Sequence, residues 1–186
     1  TRIYMVEHKG FDTHSLQTDP ADTTIGDHAS LLAGLSQAVK AFQDDLQFLQ
    51  IEDRVVGMTF SEFGRRIKSN SSGGTDHGAA APLFVFGKKV NAAVLGTTAA
   101  IPASVTTNDN IAMQYDFRSV YASLLEQWLC VRPTDMDEIM LQNFQSLPII
   151  ESGNCNTTTY VFIGNGYWSD AANWKNNAIP PTDITG

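Results

Sequence analysis

Three short stretches of this sequence gather side chains that ligate metal ions, move protons or hold anions. They are "GFDTHS" with Asp12 and His14, "SEFGRR" with Ser61, Glu62, Arg65 and Arg66, and "GTDHG" with Asp76 and His77. Neutral imidazole nitrogen and carboxylate oxygen both ligate zinc, and carboxylates also suit harder ions. A neighbouring guanidinium offers a two-pronged contact to a phosphate or sulfate oxyanion. Each stretch taken alone also has a plainer reading. Asp12 is then a turn former and His14 an exposed imidazole. "TDHG" is an Asx-type turn in which Gly78 takes an unusual backbone angle. Glu62 and Arg65 form a solvated ion pair, or the three stretches knit their loops together through hydrogen bonds with no ligand at all. His8 and His28 read as surface or helix-start residues, although His28 follows a long loop and can face the same cleft. No G-x-S-x-G elbow or Ser-His-Asp order occurs, and "GKKVN" lacks the glycines of a phosphate loop. An acyl-transfer triad and a nucleotide P-loop are therefore unsupported.

The elements that position these residues follow from patterning. Arg2 to Glu7, "RIYMVE", suits a strand, and the polar stretch after it, rich in Gly, Asp and Pro, is a long loop of the kind that carries function. From Asp27 onward Leu31, Leu35, Phe42, Leu46 and Leu49 recur as one helical stripe, with Asp27 or Thr24 available as a cap. "RVVGMTF", Arg54 to Phe60, is expected as a central strand, and "PLFVFG" and "AAVLG" as two more strands or a hairpin. A second helix is expected between Asp116 and Leu129, where Phe117, Val120, Tyr121, Leu124, Leu125 and Trp128 keep helical spacing behind the capping residue Asp116. Strands and helices in this order predict an α/β domain with its polar clusters on loops that follow strands. Beyond Glu151 the composition turns to Asn, Thr, Gly and aromatic residues, which marks the start of a β-rich unit.

Composition narrows the function classes. With 42% hydrophobic and 17% charged residues among 186, the chain has material for one well-buried core and a small second unit. Twelve basic against twenty acidic residues give a net charge of -8 with no Lys/Arg-rich stretch, which argues against nucleic acid as a partner. The apolar runs are strand-sized rather than membrane-spanning. Two cysteines, Cys130 and Cys155, exclude a disulfide-rich scaffold and a four-cysteine zinc site, and leave open a single disulfide or two buried thiols. The first residue is Thr1 and strand-like residues follow at once, so the chain is expected to start inside a larger protein, with any signal peptide outside it.

Read in order, "GFDTHS", "TFSEFGRR", "GTDHGAAAPLFVFG" and "DFRSVYASLLEQWL" resemble the C-terminal half of the bacterial family known as domain of unknown function 1501, over roughly Ile3 to Leu129. That family is distantly similar to the alkaline phosphatase and sulfatase superfamily, whose hydrolases hold metals on loops at one sheet edge. The resemblance implies an α/β fold for residues 1–150, an alkaline-phosphatase-like sheet with flanking helices forming part of a domain. Residues 151–186 would be the start of a small, truncated β-rich surface-type module. "GTDHGAAAPLFVFG" resembles the late metal motif of phosphopentomutase-like enzymes, which makes His77 the leading ligand, with Asp76 supporting or orienting it. Asp12 and His14 lie where the superfamily has an Asp and a His separated by three residues, but here one residue separates them. "SEFGRR" takes the place of an Asp-His-Gly motif, with Glu62 for the Asp and Phe63 for the His.

By this resemblance Asp12, His14, Glu62, Asp76 and His77 line a cleft for a divalent metal: zinc, manganese or calcium. Glu62 and Arg65 would act in catalysis, Arg65 facing a phosphate or sulfate ester of a small molecule or polysaccharide, with the nucleophile upstream of Thr1. The protein would be exported to the periplasm, the cell surface or the medium. The alternative is a degenerate member that keeps the fold as a surface binding or structural scaffold, favoured by Phe63 in place of a histidine. The tail motif "GNGYWSDAANW" is similar to β-rich modules of secreted bacterial proteins, with a tryptophan at each end expected to pack in the module's core.

Overall fold

The computed structural model describes residues 2–155, 162–164, 166–175 and 179. The first helix, α1 (Asp27–Phe48), forms where the apolar stripe was expected. Its cap differs from expectation: Gly26, at φ 124°, holds the N-cap position with no side-chain hydrogen bond, and Asp27 is the first helical residue. Thr24 is instead bonded through its backbone N–H and hydroxyl to the Asp22 carboxylate, at 2.9 and 2.6 Å. A single turn of 3-10 helix, Glu52–Arg54, follows α1.

From there the chain makes one long excursion and returns on itself. Four short strands, β1 (Gly57–Met58), β2 (Gly64–Arg65), β3 (His77–Gly78) and β4 (Val85–Phe86), pair as two antiparallel ladders, β1 with β4 and β2 with β3. The inner ladder is nested inside the outer one, so residues 66–76 form the tip of the excursion. The expected strand Arg54 to Phe60 thus shortens to β1, with the 3-10 turn taking its first residue. "PLFVFG" yields β4, whereas "AAVLG" is not a strand, and β4 pairs back to β1 rather than forward. Composition gave the apolar runs correctly, but ladder length depends on a facing partner that no local pattern contains.

The same reason accounts for Arg2 to Glu7. Among the described residues this segment has no ladder partner, and Ile3, Tyr4, Met5 and Val6 are 78 to 91% exposed. The described residues therefore form a mixed α/β structure with two two-stranded ladders, not one continuous sheet.

The core sits on the second helix, α2 (Phe117–Gln127), whose cap is Asp116 as expected, accepting the Arg118 N–H at 2.9 Å. Hydrogen bonds from Arg118 hold the Asp116 carboxyl down to about 2. Val120 packs with Leu147, Ile149 and Ile150, and Val56, Met58, Val85 and Leu124 close around them, so α2 lies over the outer ladder. The 147–151 segment also runs beside residues 89–91, through a bridge between Val90 and Ile150 and bonds of 2.8 and 2.9 Å from Asn91 and Glu151 N–H. A third helix, α3 (Pro133–Met140), had not been anticipated, although Pro133 at its first turn is a standard start signal.

Ser123, fully buried on α2, ties these parts together: its hydroxyl donates to the Ser119 carbonyl at 2.6 Å and accepts the Leu147 N–H at 2.7 Å. Ser123→Ala leaves that N–H buried without an acceptor. The expected cost is about 1–3 kcal/mol of stability, measurable as a lower urea midpoint; an unchanged midpoint would contradict the pairing. Cys130 and Cys155 form a disulfide, which resolves the alternative left open by the sequence and joins the end of α2 to the segment beyond Ile150.

Much of the expected β-rich unit, including "NTTTY", lies outside the described residues. Within them Phe162 bridges to Trp174, and the rings of Phe162, Trp168 and Trp174 meet at 5.0 to 5.2 Å. Trp174 is buried as expected, but Trp168 stacks on Phe162 while remaining 68% exposed.

Candidate metal centre

The inner ladder and the tip of the excursion form a cradle for residues 11–17. The β2–β3 register sets Arg65 opposite His77 and continues through the bond from Arg66 N–H to the Asp76 carbonyl, 3.0 Å. Against the tip, Ser15 bridges Gly73, and the N–H groups of Leu16 and Gln17 donate to the Ser72 and Gly73 carbonyls at 3.3 and 3.0 Å. The approach is close enough that a Cβ at Gly74 would fall 2.3 Å from the His14 carbonyl carbon, so residue 74 has to be glycine here. Thr13 is buried, while its neighbours Asp12 and His14 stay exposed and meet His77.

Asp12 Oδ1 stands 2.7 Å from His77 Nε2 and 3.1 Å from His14 Nε2. The second nitrogen of His14, Nδ1, lies 3.2 Å from Asp76 Oδ1. Three ligand atoms, one each from Asp12, His14 and His77, fall within 4.8 Å of one another. Tetrahedral zinc with bonds near 2.1 Å separates its ligands by about 3.4 Å, so the two contacts to Asp12 need only small adjustment.

The electrostatics point the same way. Asp12 is held below its ordinary carboxyl range chiefly by the hydrogen bond from His77, then by the charges of His14, His77 and Arg65. Asp76 is lowered by hydrogen bonds from Asn70 and from His14. An ionised Asp76 accepts only, and so does an ionised Asp12, so His14 lies between two acceptors, with Nδ1 3.2 Å from Asp76 Oδ1 and Nε2 3.1 Å from Asp12 Oδ1. Each nitrogen donates to its carboxylate when it carries a proton, and a metal can take the place of the proton on Nε2. A carboxylate behind the imidazole is the partner that orients histidines which bind metals.

Of the residues expected at the site, Asp12, His14 and His77 are brought together, and Asp76 supports from behind His14. Glu62 is exposed and lies outside this group. Arg65 has its terminal nitrogens on protein acceptors: the Thr75 carbonyl at 2.6 Å, the Phe11 carbonyl, and Asp12 Oδ1 at 3.5 Å. What it faces is the Asp12 carboxylate, not an open position for an ester. Phe63 stacks on the His77 imidazole at 3.8 Å and 7° and so takes up one face of that ring. His28 meets Phe11 edge-on at 6.2 Å and does not join the group.

Sequence reasoning missed Asn70. It sits in a polar loop where an Asn before Ser-Ser-Gly-Gly signals only a turn. Yet its amide reaches both the His14 carbonyl and Asp76, at 2.8 and 3.2 Å.

The sequence profile described as "Protein of unknown function (DUF1501)" matches residues 1–127. All residues of the candidate site fall inside that match, and the chain belongs to the DUF1501 family. No curated protein and no solved structure shows significant similarity to it.

Proposed function

We propose that the chain is part of an exported bacterial hydrolase that uses a divalent metal to cleave phosphate or sulfate esters, on an alkaline-phosphatase-like sheet completed by the rest of a larger protein. The observation that carries this reading is the convergence of Asp12 Oδ1, His14 Nε2 and His77 Nε2, with Asp76 behind His14 Nδ1. Two imidazoles and one carboxylate suit zinc and leave open positions for water or an ester oxygen. A metal held there supplies Lewis acidity and a more acidic bound water. The residues themselves do the rest: Asp12 and the two histidines would hold the ion, Asp76 orients His14 from behind Nδ1, and Arg65 keeps Asp12 in place. The Cys130–Cys155 disulfide supports export, since such bonds persist in oxidising compartments.

The test is metal content and turnover of the complete protein on aryl phosphate and aryl sulfate esters, with zinc, manganese or calcium added. Hydrolysis that a chelator abolishes is expected; absence of both bound metal and turnover would refute the reading. A second reading, a scaffold that has lost catalysis, is favoured by Phe63 lying flat on His77 where the superfamily has a further histidine. Metal bound without any ester turnover would select it.

A further inference from the structure

We infer that Asn70 is a positioning residue for the metal centre, holding the Asp76 carboxylate behind His14 and so fixing the aim of the His14 ring; the inference rests on the metal-site reading above. All the hydrogen-bonding capacity of the Asn70 amide has a partner. Its Nδ2 donates to the His14 carbonyl at 2.8 Å and to Asp76 Oδ1 at 3.2 Å. Its Oδ1 accepts the N–H groups of Ser72 and Gly74 at 2.9 and 3.1 Å. Turning the amide over would set oxygen against two acceptors and NH₂ against two donors, so the orientation is determined by its surroundings.

This geometry divides the amide into two halves with separate tasks. The oxygen shapes the tip of the excursion by gathering two backbone donors. The nitrogen joins that tip to the site, because the oxygen it bonds on Asp76 is the same Oδ1 that faces His14 Nδ1. Asp76 Oδ1 is thus fixed from one side by Asn70 and meets the imidazole on the other. Without that hold, the Asp76 carboxylate is free to rotate, Nδ1 loses its fixed partner, and the His14 ring is no longer aimed at Asp12 and His77. Partners of this kind typically change metal affinity by about 10- to 100-fold.

Asn70→Asp separates the two tasks. Its carboxylate still accepts from Ser72 and Gly74, but it has no N–H for Asp76 and places a like charge beside it. Zinc affinity of the chain, measured by competition with a chromogenic chelator, is expected to fall by about 10-fold or more. In metal-free protein, the NMR signals of the His14 imidazole ring are expected to differ clearly between parent and variant, because Asp76 faces that ring. Slow exchange of the Ser72 and Gly74 amides in both would show the tip intact, and Asn70→Ala, which loses both tasks, should release those amides as well. Unchanged His14 ring signals in Asn70→Asp, or zinc affinity within twofold of the parent, overturns the inference. A parent that binds no zinc but shows the change in the His14 ring would remove the metal reading and leave the positioning of His14 standing.

Discussion

Replacing His77 with alanine is expected to weaken zinc binding by at least about 100-fold, taking the upper loss caused by supporting residues as the floor for losing a ligand itself. The change removes one of two nitrogen donors from a group that offers three protein ligands. It also removes the 2.7 Å contact that does most to hold the Asp12 carboxyl below its ordinary range. Asp12 would then face His14 and Arg65 alone. The side chain of His77 is 47% exposed, and β3 is held by backbone pairing with β2, so the ladder should survive the loss. Calorimetric titration with zinc gives the affinity, and circular dichroism confirms that α1 and α2 persist. Affinity within about threefold of the parent in a folded variant would remove His77 from the ligand set. Asp76→Asn, which leaves all three ligands in place, is a useful contrast with a smaller expected loss.

Breaking the Cys130–Cys155 bond has the largest expected effect on stability. The bridge spans 25 residues, and the chain-entropy estimate for a loop of that size is about 3–4 kcal/mol. The loop it closes contains α3 and the segment carrying Leu147, Ile149 and Ile150, which supply three of the four members of the buried cluster on α2. In the reduced chain this segment is held by Ser123, by the Gln127 amide at 2.6 and 3.0 Å from Leu147 and Ile150, and by its apolar side chains. A Cys130→Ser, Cys155→Ser double variant should therefore unfold at clearly lower urea, and dithiothreitol should bring the parent to the same midpoint. Coincident midpoints together with two titratable thiols in the untreated parent would contradict the bond.

Helices were the most legible part of the fold because their signals are local. The leucine stripe placed α1 and the Asp116 cap placed α2, each within a few residues. The strands were legible only as apolar runs. Nothing near Val85 in sequence says that it will face Met58, and nothing in "RIYMVE" supplies the neighbour that its backbone needs. The candidate site divides along the same line. Asp12, His14, Asp76 and His77 stood out because carboxylate and imidazole are conspicuous by type. Glu62 stood out equally, yet lies apart, since residue type cannot report which way a loop turns. Asn70 was invisible for the converse reason: its chemistry is ordinary, and its role comes only from what surrounds it.

The inner ladder adds a constraint of another kind. Gly64 and Gly78 face each other across it; a Cβ on Gly64 would fall 1.9 Å from the Ala80 carbonyl oxygen, and one on Gly78 would fall 2.4 Å from the Arg65 carbonyl carbon. These contacts are with backbone, which cannot swing aside. The pair behaves as a gauge that only the narrowest residue passes, and it sits one position from both Arg65 and His77. A relative that builds the same centre on this ladder can exchange one ligand type for another, as metal chemistry allows. It has no such latitude at these two positions. The dipeptides Gly64-Arg65 and His77-Gly78 are therefore sharper guides for recognising the centre in unfamiliar sequences than the histidines and carboxylates taken alone.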